Sequence, residues 1–346
     1  MIKVCWITKG PSNYLTDEFS VSYLKSKDIG YTNNLLAADI LLAPSQLSRR
    51  FKLLHSLLFF KKKIVWTNEP AFDRTFENFR SKGKTVMNAY SGNVFMHNLH
   101  FLGSYHYDFD NDLGINLHDP PSKLMTINDL KKKNQKCLCV YGYRNPEEAS
   151  IIYQEGEISL NEARQDAAQF LYDKGMADIM GKGWPKGIQI IEQSGYDSGE
   201  NKWWIRKIDM LKKYKFNICL ENTAFPYYCT EKIWHAIAGE CLPVYSSAGN
   251  AIYDTFPKNS FVDMSEFASL EQLYNFLKDM PDEEYVERYN KCLQVLRESC
   301  RNRVQNPNMK TDILENFVQE VRALAGKADP LPNGNRQMRL HSDIGT

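Results

Sequence analysis

The segment YKFNICLENTAFPYYCTEKIWHAIAGECLPVY, residues 214 to 245, decides the fold of this chain. Its first part contains a short apolar run, 216–220, that predicts a buried strand. Thr230 stands where a helix N-cap belongs, and the apolar residues after it recur at helical spacing. Gly239 is suited to end that helix in a left-handed cap, and 241–245 predict the next strand. The segment therefore predicts a strand, a loop, a helix and a second strand.

Polar side chains are grouped where the predicted strand ends and the predicted helix begins. Glu221 and Asn222 follow the strand, and Thr230, Glu231 and Lys232 open the helix. In open α/β sheets, ligands bind at the carboxyl ends of the strands. The positive end of a helix dipole beside a lysine suits a phosphate group. The segment therefore predicts a phosphate-binding site.

The same residues resemble the donor-binding signature of the α-1,3-fucosyltransferase family. The matching motifs, in chain order, are Phe216-Asn217, Glu221-Asn222, Tyr228-Cys229 and Thr230-Glu231-Lys232. Further matches follow at Pro243, Tyr245, Phe261-Val262-Asp263 and Phe267. The resemblance covers residues 216–267. It implies an α/β fold of the GT-B type, in which two Rossmann-like domains face a cleft.

The rest of the chain agrees with two α/β units. A length of 346 residues exceeds what one core usually holds. Strand signals at 3–8, 38–43 and 64–67 alternate with helical patterns such as 47–58, which predicts a parallel sheet with helices on its faces. The polar, lysine-rich stretch 126–136 is interpreted as the inter-domain connection. With the resemblance, we predict an acceptor-side domain at 1–130, a nucleotide-sugar (donor) domain at 131–326 and a loose tail at 327–346.

Within the predicted donor domain, two stretches have the form of a helix-capping box. They are Ser159-Leu160-Asn161-Glu162 and Ser269-Leu270-Glu271-Gln272, each followed by an apolar helical stripe. Between them, 177–180 predict a strand. These signals favour a second alternation of strands and helices.

Charge and hydropathy exclude several classes of protein. The net charge of +1 gives no strong field for nucleic acid, and the runs 61–63 and 131–133, three lysines each, are interpreted as solvated charges. The longest apolar run, 53–60, is far shorter than the roughly 20 residues of a membrane span. No signal-peptide pattern precedes the first strand. We expect no membrane span, although peripheral association with a membrane stays open.

Cysteine usage favours a reducing compartment. The eight cysteines are scattered, most of them within apolar patterns, and no pair has C-x-x-C spacing. The chain also contains no N-x-S/T acceptor for glycosylation. We therefore expect a cytoplasmic location, of the soluble bacterial type within the resembled family.

Glu69 is the candidate catalytic base. It ends the run Ile64-Val65-Trp66-Thr67-Asn68-Glu69-Pro70, and Pro70 favours extended backbone at Glu69. The carboxylate is then expected at the carboxyl end of a parallel strand. The resemblance implies a general base in a similar T-x-E context, with Pro70 as a departure from the family pattern. A surface glutamate in a turn is the alternative.

Arg164 and Lys232 are candidate ligands of a diphosphate. Arg164 lies about one turn into the predicted helix that follows Ser159, at the border of its apolar face, and the resemblance implies a functional arginine there. A guanidinium can make two parallel hydrogen bonds to a diphosphate, and Lys232 adds its charge to a helix N-terminus. A surface arginine is the alternative for Arg164. Two cations and a helix dipole could replace the metal that other nucleotide-sugar enzymes use.

The remaining donor-site candidates follow from the resemblance. Glu231 could accept hydrogen bonds from sugar or ribose hydroxyls, or be only a first-turn acid that favours the helix dipole. Asn222 and Tyr228 could contact the nucleotide, although Tyr228 also fits a core position. Glu221 could bind the donor sugar or brace the loop. Thr230 would provide the helix start.

Other sequence patterns are weaker evidence of a metal or nucleotide site. Asp108, Asp110 and Asp112 mimic a metal-binding D-x-D motif but lie in a polar loop, and the histidines at 97, 100 and 106 have no metal-ligand spacing. Asn78 stands in place of the first glycine of a P-loop before Lys84. We predict no metal site and no required cofactor, with a divalent ion at most stimulatory.

The resemblance implies an inverting transfer of L-fucose from GDP-β-L-fucose to a GlcNAc- or galactose-containing oligosaccharide or glycolipid such as lipopolysaccharide, with α-1,3 linkage. The alternatives are a GT-B transferase for another nucleotide sugar and a catalytically silent glycan- or nucleotide-binding protein on the same scaffold. No G-x-G-x-x-G follows a strand, which disfavours a dinucleotide oxidoreductase.

Overall fold

The computed structural model describes residues 1–7, 15–44, 53–54, 56–67, 70, 80–81, 84–88, 120–145, 149–153, 156–192, 203–225, 228–305 and 311–327. The chain divides into two compact units. The first combines 1–68, 75–94 and 311–346, and the second combines 69–74 and 95–310. Within the described residues, no helix has both the length and the apolar character needed to cross a bilayer.

The first unit is built on a six-stranded sheet. Its strands are β1 (Ile2–Trp6), β2 (Ile29–Tyr31), β3 (Ile40–Pro44), β4 (Lys62–Thr67), β5 (Arg80–Ser81) and β6 (Lys84–Asn88), in the spatial order β2-β1-β3-β4-β6-β5. Every pair is parallel except the edge pair β5–β6. Its described helices are α1 (Glu18–Ser26) and α8 (Thr311–Ala325).

The second unit contains the remaining elements. Its strands are β7 (Asn134–Val140), β8 (Ile152–Tyr153), β9 (Gly156–Glu157), β10 (Ala177–Met180), β11 (Ile190–Glu192), β12 (Tyr214–Ile218), β13 (Leu242–Tyr245) and β14 (Val262–Asp263). Its helices are α2 (Ile127–Leu130), α3 (Asn161–Asp173), α4 (Trp203–Leu211), α5 (Glu231–Ala238), α6 (Leu270–Asp279) and α7 (Asp282–Gln305), with 3-10 turns at Ile252–Asp254 and Met264–Glu266.

The main sheet of the second unit is parallel, with the order β11-β10-β7-β12-β13-β14. The chain therefore starts at a central strand, moves outward on one side, returns and moves outward on the other side, as in a Rossmann fold. The predicted α/β, GT-B-type class with two Rossmann-like units is confirmed in the architecture of each unit. The point where the winding reverses lies between β7 and β12.

The structure differs from the predicted domain boundaries, and two of the differences are seen in described helices. Residues 126–136 were interpreted as a connection, but Thr126 caps α2 through a complete capping box with Asp129, and α2 packs on α7 inside the second unit. Helix α8 was predicted to belong to the donor domain, but it packs on α1, β1 and β3 of the first unit. Glu315 of α8 accepts hydrogen bonds from the Tyr23 hydroxyl and the Lys27 ammonium group.

Both lysine runs that were interpreted as solvated contain a buried member. Lys63 is buried and donates to the carbonyl oxygen of Leu58 at 2.6 Å. Lys133 is buried and donates to the carbonyl oxygen of Lys212 at 2.6 Å. Burial lowers the pKa of Lys133 below its usual range. In each case the aliphatic stem packs in the protein while the ammonium group donates to a main-chain carbonyl.

Helix α5 ends differently from the prediction. Gly239 has a φ of −82°, outside the left-handed region, and the left-handed residue is Glu240, with a φ of 53°. The amide groups of Glu240 and Cys241 donate back to the carbonyls of Ile237 and Ala236, which is a Schellman arrangement. The reason for glycine at 239 is packing, because a Cβ there would lie 2.5 Å from the Cβ of Leu211 on α4.

From these observations we predict that substitutions at Gly239 and Glu240 have opposite effects on the stability of the fold. Gly239→Ala should destabilise the fold by about 1–3 kcal/mol, because α4 and α5 must move apart to admit the methyl group. Glu240→Gly should be neutral or stabilising by up to about 1 kcal/mol, because it relieves the left-handed backbone. Urea unfolding of both variants measures the difference. Equal stability of the two variants would contradict the packing explanation.

Candidate active site

The candidate site lies at the reversal point of the second sheet. The residues after β7, from Tyr141 to Arg144, and those after β12, from Cys219 to Asn222, lie at the carboxyl ends of adjacent parallel strands. Such a reversal point is where open α/β sheets bind ligands. The position of the site therefore follows from topology as well as from the sequence motif.

Glu221 braces the loop that leads to α5. Its carboxylate is buried and accepts four hydrogen bonds: from the Thr230 amide at 2.7 Å, the Thr230 hydroxyl at 2.7 Å, the Lys232 ammonium at 3.0 Å and the Tyr245 hydroxyl at 3.3 Å. A buried charge with this many donors is well compensated. Of the two roles predicted for Glu221, these contacts support the loop brace.

The N-terminus of α5 is not capped by a side chain. Thr230 is the N-cap residue, as predicted, but its hydroxyl makes no capping bond to the helix. The hydroxyl instead donates to Glu221 and accepts from Lys232 at 2.6 Å. The amide groups of the first turn therefore lack the acceptor that an N-cap side chain usually supplies, and an anion can take that place.

Lys232 is held in place by carboxylates. Its ammonium group lies 3.0 Å from Glu221 and 3.7 Å from Glu231. Burial acts to lower the pKa of Lys232, but the two carboxylates outweigh it and the pKa stands above its usual range. Lys232 is therefore a permanent cation in this site.

Arg164 joins the same cluster from α3. Its side chain is 4% exposed, and its guanidinium stacks on the Tyr141 ring at 4.9 Å and donates to Asn161. Among the described residues, its Nε group has no hydrogen-bond partner. Burial lowers the pKa of Arg164, and the positive charge of Arg164 acts to lower the pKa of Lys232. Two neighbouring cations and a vacant buried donor favour an anionic ligand.

The start of α3 is docked on the loop after β12. The amide of Leu160 donates to the carbonyl of Asn222 at 2.9 Å, and Ser159 forms an isolated β-bridge with Thr223. The predicted capping box at Ser159 does not form, because α3 begins at Asn161 with Leu160 as an N-cap that has no side-chain bond. This docking brings Arg164 to the reversal point of the sheet.

The other predicted donor-site residues also lie in this region. Asn222 and Tyr228 are buried, and Tyr228 is within electrostatic range of Arg164. The Tyr228 carbonyl accepts from Asn250 at 2.8 Å, which fixes the loop backbone before the helix. Glu231 lies in the first turn of α5, and its side chain is 25% exposed.

Lys207 is a member of the cluster that sequence reasoning missed. It lies on α4 and is buried, and burial lowers its pKa while Glu231 acts to raise it. In turn, burial acts to raise the pKa of Glu231, but Lys232 and Lys207 outweigh it and hold that pKa well below its usual range. In the sequence, Lys207 stands next to Ile208, which belongs to an apolar stripe. That pattern does not distinguish Lys207 from an ordinary lysine on a helix surface.

Several predicted residues lie outside the described residues. These are Glu69, the aspartates 108, 110 and 112, and the histidines 97, 100 and 106. Among the residues that are described, no group of three or more His, Cys, Asp or Glu side chains is arranged to hold a metal ion. All eight cysteines are described, and all are buried free thiols.

Comparisons with known proteins agree with the motif. The chain is 27% identical over 179 residues to the α-(1,3)-fucosyltransferase B of Drosophila melanogaster, an alignment that covers 51% of this chain and 38% of the relative. It is 34% identical over 86 residues to the α-(1,4)-fucosyltransferase of Arabidopsis thaliana, covering 25% of this chain and 21% of the relative. It is 36% identical over 72 residues to the α-(1,3)-fucosyltransferase FucT of Helicobacter pylori, covering 21% of this chain and 15% of the relative. The chain thus spans well under half the length of these curated relatives.

Among solved structures, one described as an α1,3-fucosyltransferase aligns with 83% of this chain and 81% of its own length, at 17% identity and a TM-score of 0.46. The family model for the C-terminal part of glycosyltransferase family 10 (fucosyltransferase) matches residues 153–316. This match contains Arg164, Glu221, Thr230, Glu231 and Lys232. Residues 153–316, just under half of the chain, are therefore similar to the C-terminal part of the glycosyltransferase family 10 fucosyltransferases.

Proposed function

We propose that this chain is an inverting fucosyltransferase that moves L-fucose from GDP-β-L-fucose to a hydroxyl group of a GlcNAc- or galactose-containing glycan. The observation that carries the proposal is the buried Nε group of Arg164, which has no partner within the described part of the chain, beside Lys232 and a start of α5 that Thr230 does not cap. Together they offer charge and oriented donors to a diphosphate. The family match at residues 153–316 supports fucose as the sugar.

In the proposed reaction, Glu69 takes the proton of the acceptor hydroxyl. The hydroxyl oxygen then attacks the anomeric carbon from the face opposite to the nucleotide, the bond from that carbon to the diphosphate oxygen breaks, and GDP leaves. Arg164, Lys232 and the α5 amide groups stabilise the charge that develops on GDP. Single displacement inverts the anomeric centre and needs no covalent intermediate.

The acceptor and the setting are also part of the proposal. We assign an α-1,3 linkage, which is the activity in the names of two of the three relatives above. We also propose a glycolipid acceptor such as lipopolysaccharide, and a cytoplasmic location, the latter because the cysteines are scattered and no N-x-S/T acceptor occurs.

A donor panel tests this function against its alternatives. Purified protein is titrated with GDP-fucose, GDP-mannose and UDP-sugars by calorimetry, and transfer to N-acetyllactosamine is followed by mass spectrometry. We expect binding and transfer with GDP-fucose alone. Transfer from another donor would reassign the substrate, and binding without transfer to any acceptor would favour a silent binding protein.

In this proposal, side chains neutralise the charge of the diphosphate. We therefore expect fucosyl transfer to persist in EDTA, with a divalent ion at most accelerating it. The measurement is the initial rate with and without chelator, with manganese added back as the control. Complete loss of transfer in EDTA, with recovery in manganese, would favour a metal site at Asp108 and Asp110.

A further inference from the structure

Arg144 is an exposed arginine at the candidate active site that sequence reasoning missed. It lies at the carboxyl edge of the sheet, in the loop 141–144 after β7, whose first residue, Tyr141, stacks on the Arg164 guanidinium. Among the described residues, the Arg144 side chain has no ion pair and no hydrogen bond. Exposed arginines are common on protein surfaces, but the main chain of this one is held firmly.

The loop 141–144 is attached to α3 at two consecutive residues. The Tyr141 hydroxyl donates to the carbonyl oxygen of Arg164. The buried side-chain amide of Gln165 accepts from the Arg144 amide at 2.5 Å and donates to the Arg144 carbonyl at 3.0 Å. A buried amide that bonds both polar groups of one exposed residue fixes the main chain of that residue. The anchor of Arg144 is therefore the residue next to Arg164.

The same loop is also fixed by the segment after β10. The Tyr143 amide donates to the carbonyl of Lys182 at 2.8 Å, and the Trp184 indole donates to the carbonyl of Tyr141 at 3.1 Å. Glycine is needed for this close approach, because Gly181 has a φ of 141° and a Cβ there would lie 2.2 Å from the carbonyl oxygen of Tyr141. Two elements therefore restrain a loop that ends in an exposed cation.

Arg144 adds a third positive charge to a site whose carboxylates already serve another cation. Glu221 and Glu231 lie 3.0 and 3.7 Å from Lys232. Within the described part of the chain, neither Arg144 nor Arg164 forms an ion pair. The charge of Arg144 acts to lower the pKa of Arg164, which means that the two guanidinium groups repel each other. An anion bound to both groups relieves this repulsion.

We propose that Arg144 binds the diphosphate of the donor as a third cation, and that Gln165 is the residue that positions it. The inference rests on the proposed function, because it assigns a further ligand within the same site. A guanidinium presents planar pairs of N–H donors that match phosphate oxygens. Because the loop is already fixed, little main-chain entropy is lost when the anion binds.

The test is the affinity for GDP and for inorganic pyrophosphate, measured by calorimetry on the unaltered chain and on Arg144→Met. We expect both affinities to fall by roughly 5- to 20-fold, because both probes carry the diphosphate. The loss should shrink as sodium chloride is raised, since the side chain is exposed. Lys131→Met is the matched control, because Lys131 is an exposed cation before the opposite end of β7. It should bind both probes normally.

Gln165→Met tests the positioning role. It should weaken GDP binding by about 2- to 10-fold, the scale of one ordinary hydrogen bond, because Arg144 is then less firmly held. Combined with Arg144→Met it should add no further loss, because no guanidinium remains to be positioned. Circular dichroism and urea unfolding check that all variants are folded.

Equal GDP affinity in Arg144→Met and Lys131→Met would overturn the inference and leave the proposed function standing. A loss for GDP but not for pyrophosphate would also overturn it, by assigning Arg144 to the guanosine part of the donor. Unchanged affinities with a raised KM for the acceptor would assign Arg144 to the acceptor instead. An equal loss from Gln165→Met with and without Arg144 would overturn the positioning role. Absence of GDP binding by the unaltered chain would overturn the proposed function and this inference with it.

Discussion

Replacing Glu69 by glutamine is expected to lower fucosyl transfer by about 100-fold or more, the scale of lost general-base catalysis. The amide keeps the shape of the side chain but cannot accept a proton, so the acceptor hydroxyl stays a weak nucleophile. GDP affinity should change little, because Glu69 has no proposed contact with the diphosphate. Initial rates at saturating donor, with GDP affinity from calorimetry, measure the two effects separately.

Glu271→Gln is the control for this substitution, because Glu271 is an exposed partner of Lys174 and has no proposed role. It should keep full activity. A Glu69→Gln protein that retains more than about half of the unaltered rate would place the base at another residue, since a lost general base costs roughly two orders of magnitude. Equal losses of GDP affinity and rate would instead point to a role in donor binding.

Lys232→Met and Arg164→Lys are each expected to weaken GDP binding by roughly 10- to 150-fold, which corresponds to about 1.5–3 kcal/mol for a charge-assisted hydrogen bond. Lys232→Met removes the charge, and Arg164→Lys keeps the charge but removes the planar fork. Because both groups serve one anion, the double variant should lose less than the sum of the two effects. Lys174→Met, at the other end of α3, is the matched control and should bind GDP normally.

The structure shows why Lys232→Met alone is ambiguous. Removing the ammonium group leaves the Glu221 carboxylate buried without its cation, which should also destabilise the fold. Adding Glu221→Gln removes that uncompensated charge. In the double variant we therefore expect the unfolding midpoint to recover while GDP affinity stays low. Recovery of both quantities together would show that Lys232 acts only through the fold, and tight GDP binding in Lys232→Met would remove this lysine from the site.

The elements around the site were predictable because local pattern and topology agree there. The strand at 177–180 was predicted at the bounds that the structure gives to β10, and the order strand, loop, helix, strand of 214–245 is confirmed by β12, α5 and β13. Apolar runs of this kind are buried in a parallel sheet, so their hydrophobicity alone identifies them. The reversal point of the sheet then places Glu221 and Asn222 at its carboxyl edge.

The sequence did not predict which of several possible partners a side chain would bond to. Thr230 occupies the expected N-cap position, but its hydroxyl bonds to Glu221, which lies nine residues earlier. Local sequence rules describe the bond from Thr230 to its own helix and contain no information about this competing acceptor. Likewise, the left-handed residue is Glu240 and not Gly239, and the glycine at 239 serves the close packing on α4 instead.

The path of the chain through the two units has a consequence for biosynthesis. Helix α8 covers β1 and β3 of the first unit, yet more than 300 residues separate it from β1 in the sequence. At ribosomal rates of about 5–20 residues per second, β1 and β3 await this helix for roughly 15–60 seconds. The second unit needs no residue beyond 310 and can fold first. Of the two units, the first is therefore the one that is completed later. On the nascent chain, its sheet is the surface that a chaperone would have to protect.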